Sequence, residues 1–166
     1  MLGLFKKKIT ILMVCSANIC RSPTAQGLMN KIVRERGLGG DIRVDSAGTH
    51  ASRISGRPDS RAQQVARESG FSIARYRSRI LEETDYSRYD YIVAMDKENL
   101  QYMKQKCPPE FGHKLLSIMD YSPNTGLDEI PDPYFGNLAG FERVITLLRP
   151  ACIGLLEHLL DKHGLS

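Results

Sequence analysis

A chain of 166 residues that is 42% hydrophobic and 25% charged can bury most of its apolar surface as one soluble unit, which makes a disulfide scaffold unnecessary and excludes a collagen-like or wholly disordered chain. Its formal charge of +4 includes the Lys6-Lys7-Lys8 cluster, Trp is absent, and the 7 Tyr and 5 Phe are scattered. That argues against nucleic acid, whose groove needs a dense basic stripe with interleaved aromatics, and leaves room for a small anionic substrate.

Residues 1–7 read as a flexible extension of a single domain spanning 1–166. The apolar run at 9–14 is too short to insert in a membrane or to serve as a signal core. Four cysteines in a chain that needs no staples fit a reducing cytoplasm, with secretion lacking a recognisable signal left open.

Apolar, β-branched runs at 8–14, 42–46, 91–95 and 114–119 alternate with helical periodicity at 22–36, 59–69, 97–106 and 138–162. The alternation predicts an α/β three-layer sandwich, flavodoxin-like or Rossmann-like, with a parallel sheet of about four strands and helices on both faces. Pro23 suits the first turn of the first helix, and Gly37, Gly39 and Gly40 end it. Asp96 and Asn99 read as capping structure of the third helix, which Pro108 and Pro109 stop. Pro150 predicts a kink or break in the last helix.

Ligands of parallel sheets bind beyond the carboxyl ends of the strands, where Cys15 falls at the end of the first apolar run. The stretch "CSANICRSP" then turns at once into a helix. Backbone amides of Ser16, Ala17, Asn18, Ile19, Cys20 and Arg21 can curl into a ring of donors, and the helix start adds its positive dipole end. A thiol at the floor of that ring is stabilised as thiolate and aims at phosphorus, and Arg21 can hold two phosphoryl oxygens in its planar fork.

A buried structural Cys and a chance Cys-to-Arg spacing are the bland alternatives, and the strand before and helix after weigh against them. Zinc is disfavoured because the cysteines and the 4 His form no compact ligand pattern, so no metal and no cofactor are expected. Thioredoxin-like chemistry lacks its paired spacing, although a bond between Cys15 and Cys20 stays geometrically open.

"VCSANICRSPTA" resembles the signature of the low-molecular-weight protein tyrosine phosphatases, and the resemblance continues through "DSAGTH", "GRPDSRAQQVARESGF", "MDKENL" and "DPYFG". It implies phosphotyrosine hydrolysis through a phosphocysteine, with Cys15 as nucleophile, Arg21 on the phosphate and Asp132 as general acid and then base. Taken alone, an Asp before a Pro is a turn former. The resemblance also implies that Asn18, Ser22 and Ser46 brace the loop, that Ser22 touches the thiolate, and that Tyr134 and Phe135 line the entrance, with His50 and Ile19 weaker candidates for the opposite wall. Cys20 is a redox candidate. Implied partners are phosphotyrosine proteins, tyrosine kinases among them, acted on by a monomer or weak dimer.

Three positions depart from the family pattern: Ala17 stands at a usual Gly, His50 where many relatives have an aromatic, and Gln26 where an acidic residue is common. An arsenate reductase of the same fold is a rival, but Cys107 and Cys152 are far apart in sequence. A non-catalytic phosphate-binding module is the other rival, and it need not retain Cys15, Arg21 and Asp132 together.

Overall fold

A computed structural model of the protein describes residues 6–123 and 125–165, so residues 1–5 of the expected flexible extension lie outside the described residues. Lys6 is described, and its ammonium pairs with Asp41 at 2.7 Å.

Strand β1 (Ile9–Cys15) is buried except at Thr10, as befits a central parallel strand covered on both faces. With β2 (Ile42–Gly48), β3 (Tyr91–Ala94) and β4 (Leu115–Ser117) it forms an all-parallel sheet in the order β2-β1-β3-β4. The register sets Cys15 opposite Gly48 and Val14 opposite Ala94.

Side-chain alternation along β1 sorts two cores. Ile9, Ile11, Met13 and Cys15 pack with the apolar stripes of α1 (Arg21–Glu35), α2 (Ser60–Glu68) and α5 (Leu138–His163). Leu12 and Val14 face the other way, with Tyr86 of α3 (Glu83–Arg88) and Met103 of α4 (Lys97–Lys106). The expected sandwich with helices on both faces is therefore present.

Three expectations change. Helix α3 is an element beyond the expected set: its six residues carry too little periodicity to read, and it is anchored by a bidentate Arg79–Asp85 pair at 2.8 and 3.0 Å. The strand expected at 114–119 stops at Ser117 and tightens into a 3-10 turn over Ile118–Tyr121. Helix α5 does not break at Pro150. The carbonyl that loses its partner there belongs to Thr146 on the exposed face, where water can replace the bond, while buried Leu148, Ala151, Cys152 and Leu155 hold the helix to the sheet.

The connection after β4 positions the site. Buried Ile130 donates its N–H to the Met95 carbonyl at 2.8 Å, which draws the segment before Asp132 alongside the end of β3.

Candidate active site

Cys15 ends β1 at the point where the chain leaves for α1 on one face and, from neighbouring β3, for α4 on the other. This is the switch point at which open parallel sheets take ligands. Among the described residues, the backbone N–H groups of Ser16 to Cys20 have no protein acceptor. Cys20 at the start of α1 makes no side-chain cap either. The loop and helix end thus present a concave set of open donors around the Cys15 thiol.

The loop is braced from behind. Asn18 has a left-handed backbone, φ 56, a conformation Asn tolerates better than most residues. Its amide donates to Ser22 Oγ at 2.8 Å and Ser46 Oγ at 2.9 Å, and its Oδ1 accepts the Arg79 N–H at 3.0 Å. Ser46 then donates to Gln26 Oε1 at 2.7 Å, and Gln26 Nε2 donates to the Val44 carbonyl. The Ser22 hydroxyl, already accepting from Asn18, lies 3.0 Å from Cys15 Sγ, where either group can donate, and 3.4 Å from the Ala47 carbonyl. Gln26 belongs to this brace and not to the cleft.

The Ala17 departure resolves in the same geometry, because the positive φ falls on Asn18 and not on Ala17. A glycine that sequence reasoning missed is Gly48, where a Cβ would come within 2.5 Å of the Ser16 carbonyl. Only a bare backbone lets β2 lie this close to the loop. The motif "DSAGTH" carried the signal.

Arg21 is buried. Its Nη1 donates to Asp96 Oδ2 at 2.6 Å and to the Ile130 carbonyl at 3.0 Å. That uses both Nη1 protons and leaves the Nε and Nη2 edge, a two-pronged donor, for the loop. Burial works against its charge, yet Cys15, Asp96 and Asp132 together raise its pKa above the ordinary value. Asp96 does cap α4, accepting the Asn99 N–H at 2.7 Å, but the reading of it as capping structure alone is incomplete because its other oxygen aims Arg21. Asn99 likewise reaches the loop, donating to Ser16 Oγ at 3.1 Å.

Asp132 lies above the loop, half exposed, its Oδ2 3.7 Å from Arg21 Nη2. Cys15, Ala17, Ile19, Cys20, Arg21, Asp132, Tyr134 and Phe135 line one cavity of about 320 Å³. Tyr134 and Phe135 meet edge to face at 5.0 Å between ring centres at its rim. His50, expected on the opposite wall, is not there: its ring packs on Tyr102 at 5.0 Å and its Nδ1 bonds Thr49 Oγ1 at 2.9 Å. Cys20 shares the cavity, and burial first, then Asp59, Cys15 and Asp132, pushes its thiol up to about 12. Among the described residues no cluster of His, Cys, Asp and Glu could hold a metal ion.

A thiol at the floor of an open amide ring, with an arginine fork beside it and a carboxylate above, defines a cysteine-based oxyanion site on a parallel α/β sheet. The chain belongs to the low molecular weight phosphotyrosine protein phosphatase family, whose model matches residues 10–164, and is a phosphatase. It is 40% identical over 150 residues to a putative low molecular weight protein-tyrosine-phosphatase of Synechocystis, across 90% of this chain and 95% of that protein. It is 34% identical to the human low molecular weight phosphotyrosine protein phosphatase, across 89% and 94%. A protein tyrosine phosphatase from Entamoeba histolytica, crystallised with Hepes in the active site, superimposes with a TM-score of 0.91 at 34% identity, across 94% of this chain and 99% of that one.

Proposed function

We propose that the protein hydrolyses phosphotyrosine in proteins through a phosphocysteine intermediate. The observation that carries this reading is the convergence of Cys15, Arg21 and Asp132 on one aromatic-rimmed cavity. Cys15 Sγ attacks phosphorus in line with the phenolic oxygen, and the P–O bond breaks as Asp132 delivers its proton to the leaving oxygen. Water then attacks phosphorus, Asp132 takes the water proton, and the S–P bond breaks to release phosphate. The Nε and Nη2 edge of Arg21 and the amides of residues 16–21 hold the equatorial oxygens in both steps. Hepes in the active site of the Entamoeba relative fits this reading, because its sulfonate is a tetrahedral oxyanion like phosphate.

The Ser22 hydroxyl lies 3.0 Å from Cys15 Sγ, within reach to donate to the attacking sulfur. Tyr134 and Phe135, among the residues lining the cavity, suit a flat aromatic ring. Among the described residues no helix is long and apolar enough to cross a membrane. We read the chain as a single domain acting in the cytoplasm, as a monomer or weak dimer, on phosphotyrosine proteins that include kinases.

Purified protein should hydrolyse p-nitrophenyl phosphate in EDTA, with a maximum at mildly acidic pH, and Cys15→Ser should abolish turnover. Robust activity in Cys15→Ser, or dependence on an added metal, would overturn the mechanism. Asp132→Ala should slow substrates with poor phenolic leaving groups by about 100-fold or more while phosphate still binds; an unchanged rate removes Asp132 from the acid role.

Cys20 supports a redox guard. Peroxide would convert the Cys15 thiolate to a sulfenic acid, the Cys20 sulfur would displace its hydroxyl to form a disulfide, and added thiol would restore both. Because Cys20 is held as thiol, with its pKa pushed up to about 12, capture should accelerate about tenfold per pH unit from neutral upward. Equal irreversible loss of activity in wild type and Cys20→Ser would remove the guard.

A further inference from the structure

Asp59 and Arg61, at the start of α2, take no part in the mechanism above, yet they touch both of its loops. The Asp59 backbone N–H donates to the carbonyl of Ile19 in the phosphate loop at 2.8 Å. The Asp59 carboxylate caps α2 through the Arg61 N–H at 2.8 Å and grips the Arg61 guanidinium, Nε to Oδ1 at 3.0 Å and Nη2 to Oδ2 at 2.9 Å. The far side of the same guanidinium donates to the carbonyls of Tyr134 at 2.9 Å and Gly136 at 3.1 Å. Its centre lies 4.4 Å from the middle of the Phe141 ring and 5.7 Å from that of Tyr134.

Asp132 itself is weakly held. Its carboxylate is half exposed, accepts the Tyr134 N–H at 3.1 Å and stands 3.7 Å from Arg21 Nη2. Where Asp132 sits therefore depends on where the loop backbone sits, and that backbone is tied to α2 two and four residues further on, by Arg61. A planar cation with protons on three nitrogens can hold a carboxylate and two carbonyls at once, which an ammonium cannot do in this fixed geometry.

We propose that Arg61, anchored by Asp59, is a positioning residue that holds the Asp132 loop in register with the phosphate loop, and so sets proton delivery to the leaving group. The proposal rests on the reading of Asp132 as general acid. In the first, phosphoryl-transfer step, which kcat/KM reports, a misplaced acid slows only substrates that need it, whereas a disturbed phosphate loop slows all of them.

The test compares kcat/KM for phenyl phosphate, whose leaving group needs a proton, with that for 2,4-dinitrophenyl phosphate, whose leaving group does not, in wild type, Arg61→Ala, Arg61→Lys and Asp132→Asn. Vanadate affinity is measured alongside. Arg61→Ala should lose about 10- to 100-fold in kcat/KM on phenyl phosphate, with about twofold or less change in kcat/KM on the dinitrophenyl ester and in vanadate affinity; Arg61→Lys should show the same selectivity. Should Arg61→Ala not fold, Arg61→Lys decides alone. Equal losses on both esters, or wild-type kinetics, in the folded Arg61 variants would overturn the clamp while a leaving-group effect in Asp132→Asn leaves the acid standing. An Asp132→Asn variant indifferent to the leaving group would sink the acid reading, and the clamp's role with it.

Discussion

Asn18 joins two demands in one side chain: a left-handed backbone, φ 56, and three hydrogen bonds to Ser22, Ser46 and the Arg79 N–H. The two demands separate by substitution. Asn18→Gly keeps the backbone and loses the bonds, at about 2–3 kcal/mol in urea unfolding. Asn18→Ala also strains φ and should cost roughly 1 kcal/mol more. Ala17→Gly, at a position with no positive φ, should destabilise by only about 0.5–1 kcal/mol through greater freedom of the unfolded chain. A stabilised Ala17→Gly would mean that the loop wants glycine there after all. Arg21 shows the same economy, since one nitrogen is committed to Asp96 and Ile130 and the opposite edge stays available to an anion.

Among the elements, α2 has the clearest electrostatic signature. Hydrogen bonding of the Asp59 carboxylate to Arg61, outweighing its partial burial, holds its pKa below the ordinary 3.8. The native state therefore favours the ionised form, and the stability this contributes is present above pH of about 4 and lost as pH falls through the folded-state value. Loss of the cap in Asp59→Ala should cost about 1 kcal/mol, a fall of about 2–4 °C in Tm for a chain of this size. Measured at neutral pH and again near pH 3, the Tm gap to wild type should narrow on acidification; a gap that widened would refute the assignment. Helix α3 is held differently, by the Arg79–Asp85 pair. Arg79 also supplies the N–H that steadies Asn18, so this short helix reaches the loop through a single residue.

Across the whole molecule, the larger core closes over Cys152, which is 0% exposed and whose thiol burial pushes up to about 12. It should resist iodoacetamide in native protein and become labelled in urea with the midpoint seen by circular dichroism; labelling well before that midpoint would mean that α5 opens independently. Much of the architecture was legible because four β-branched runs and the intervening periodicities obey simple geometry, and the loop was legible because a thiol, a polar turn and an arginine lie within seven consecutive residues. His50 was misplaced because a residue next to a motif can point either way, and packing against Tyr102 decided which. The strand expected at 114–119 was overread because an apolar run does not reveal where its backbone tightens. The sequence by itself determined the sheet and the loop at its carboxyl edge that carries Cys15 and Arg21 into one cavity, since each rests on local spacing. Tertiary structure alone decided which residue takes the left-handed turn, how Asp96 and Ile130 aim Arg21, and how Arg61 ties the Asp132 loop down, because those partners are brought together across gaps of 73 to 109 residues that no local pattern records.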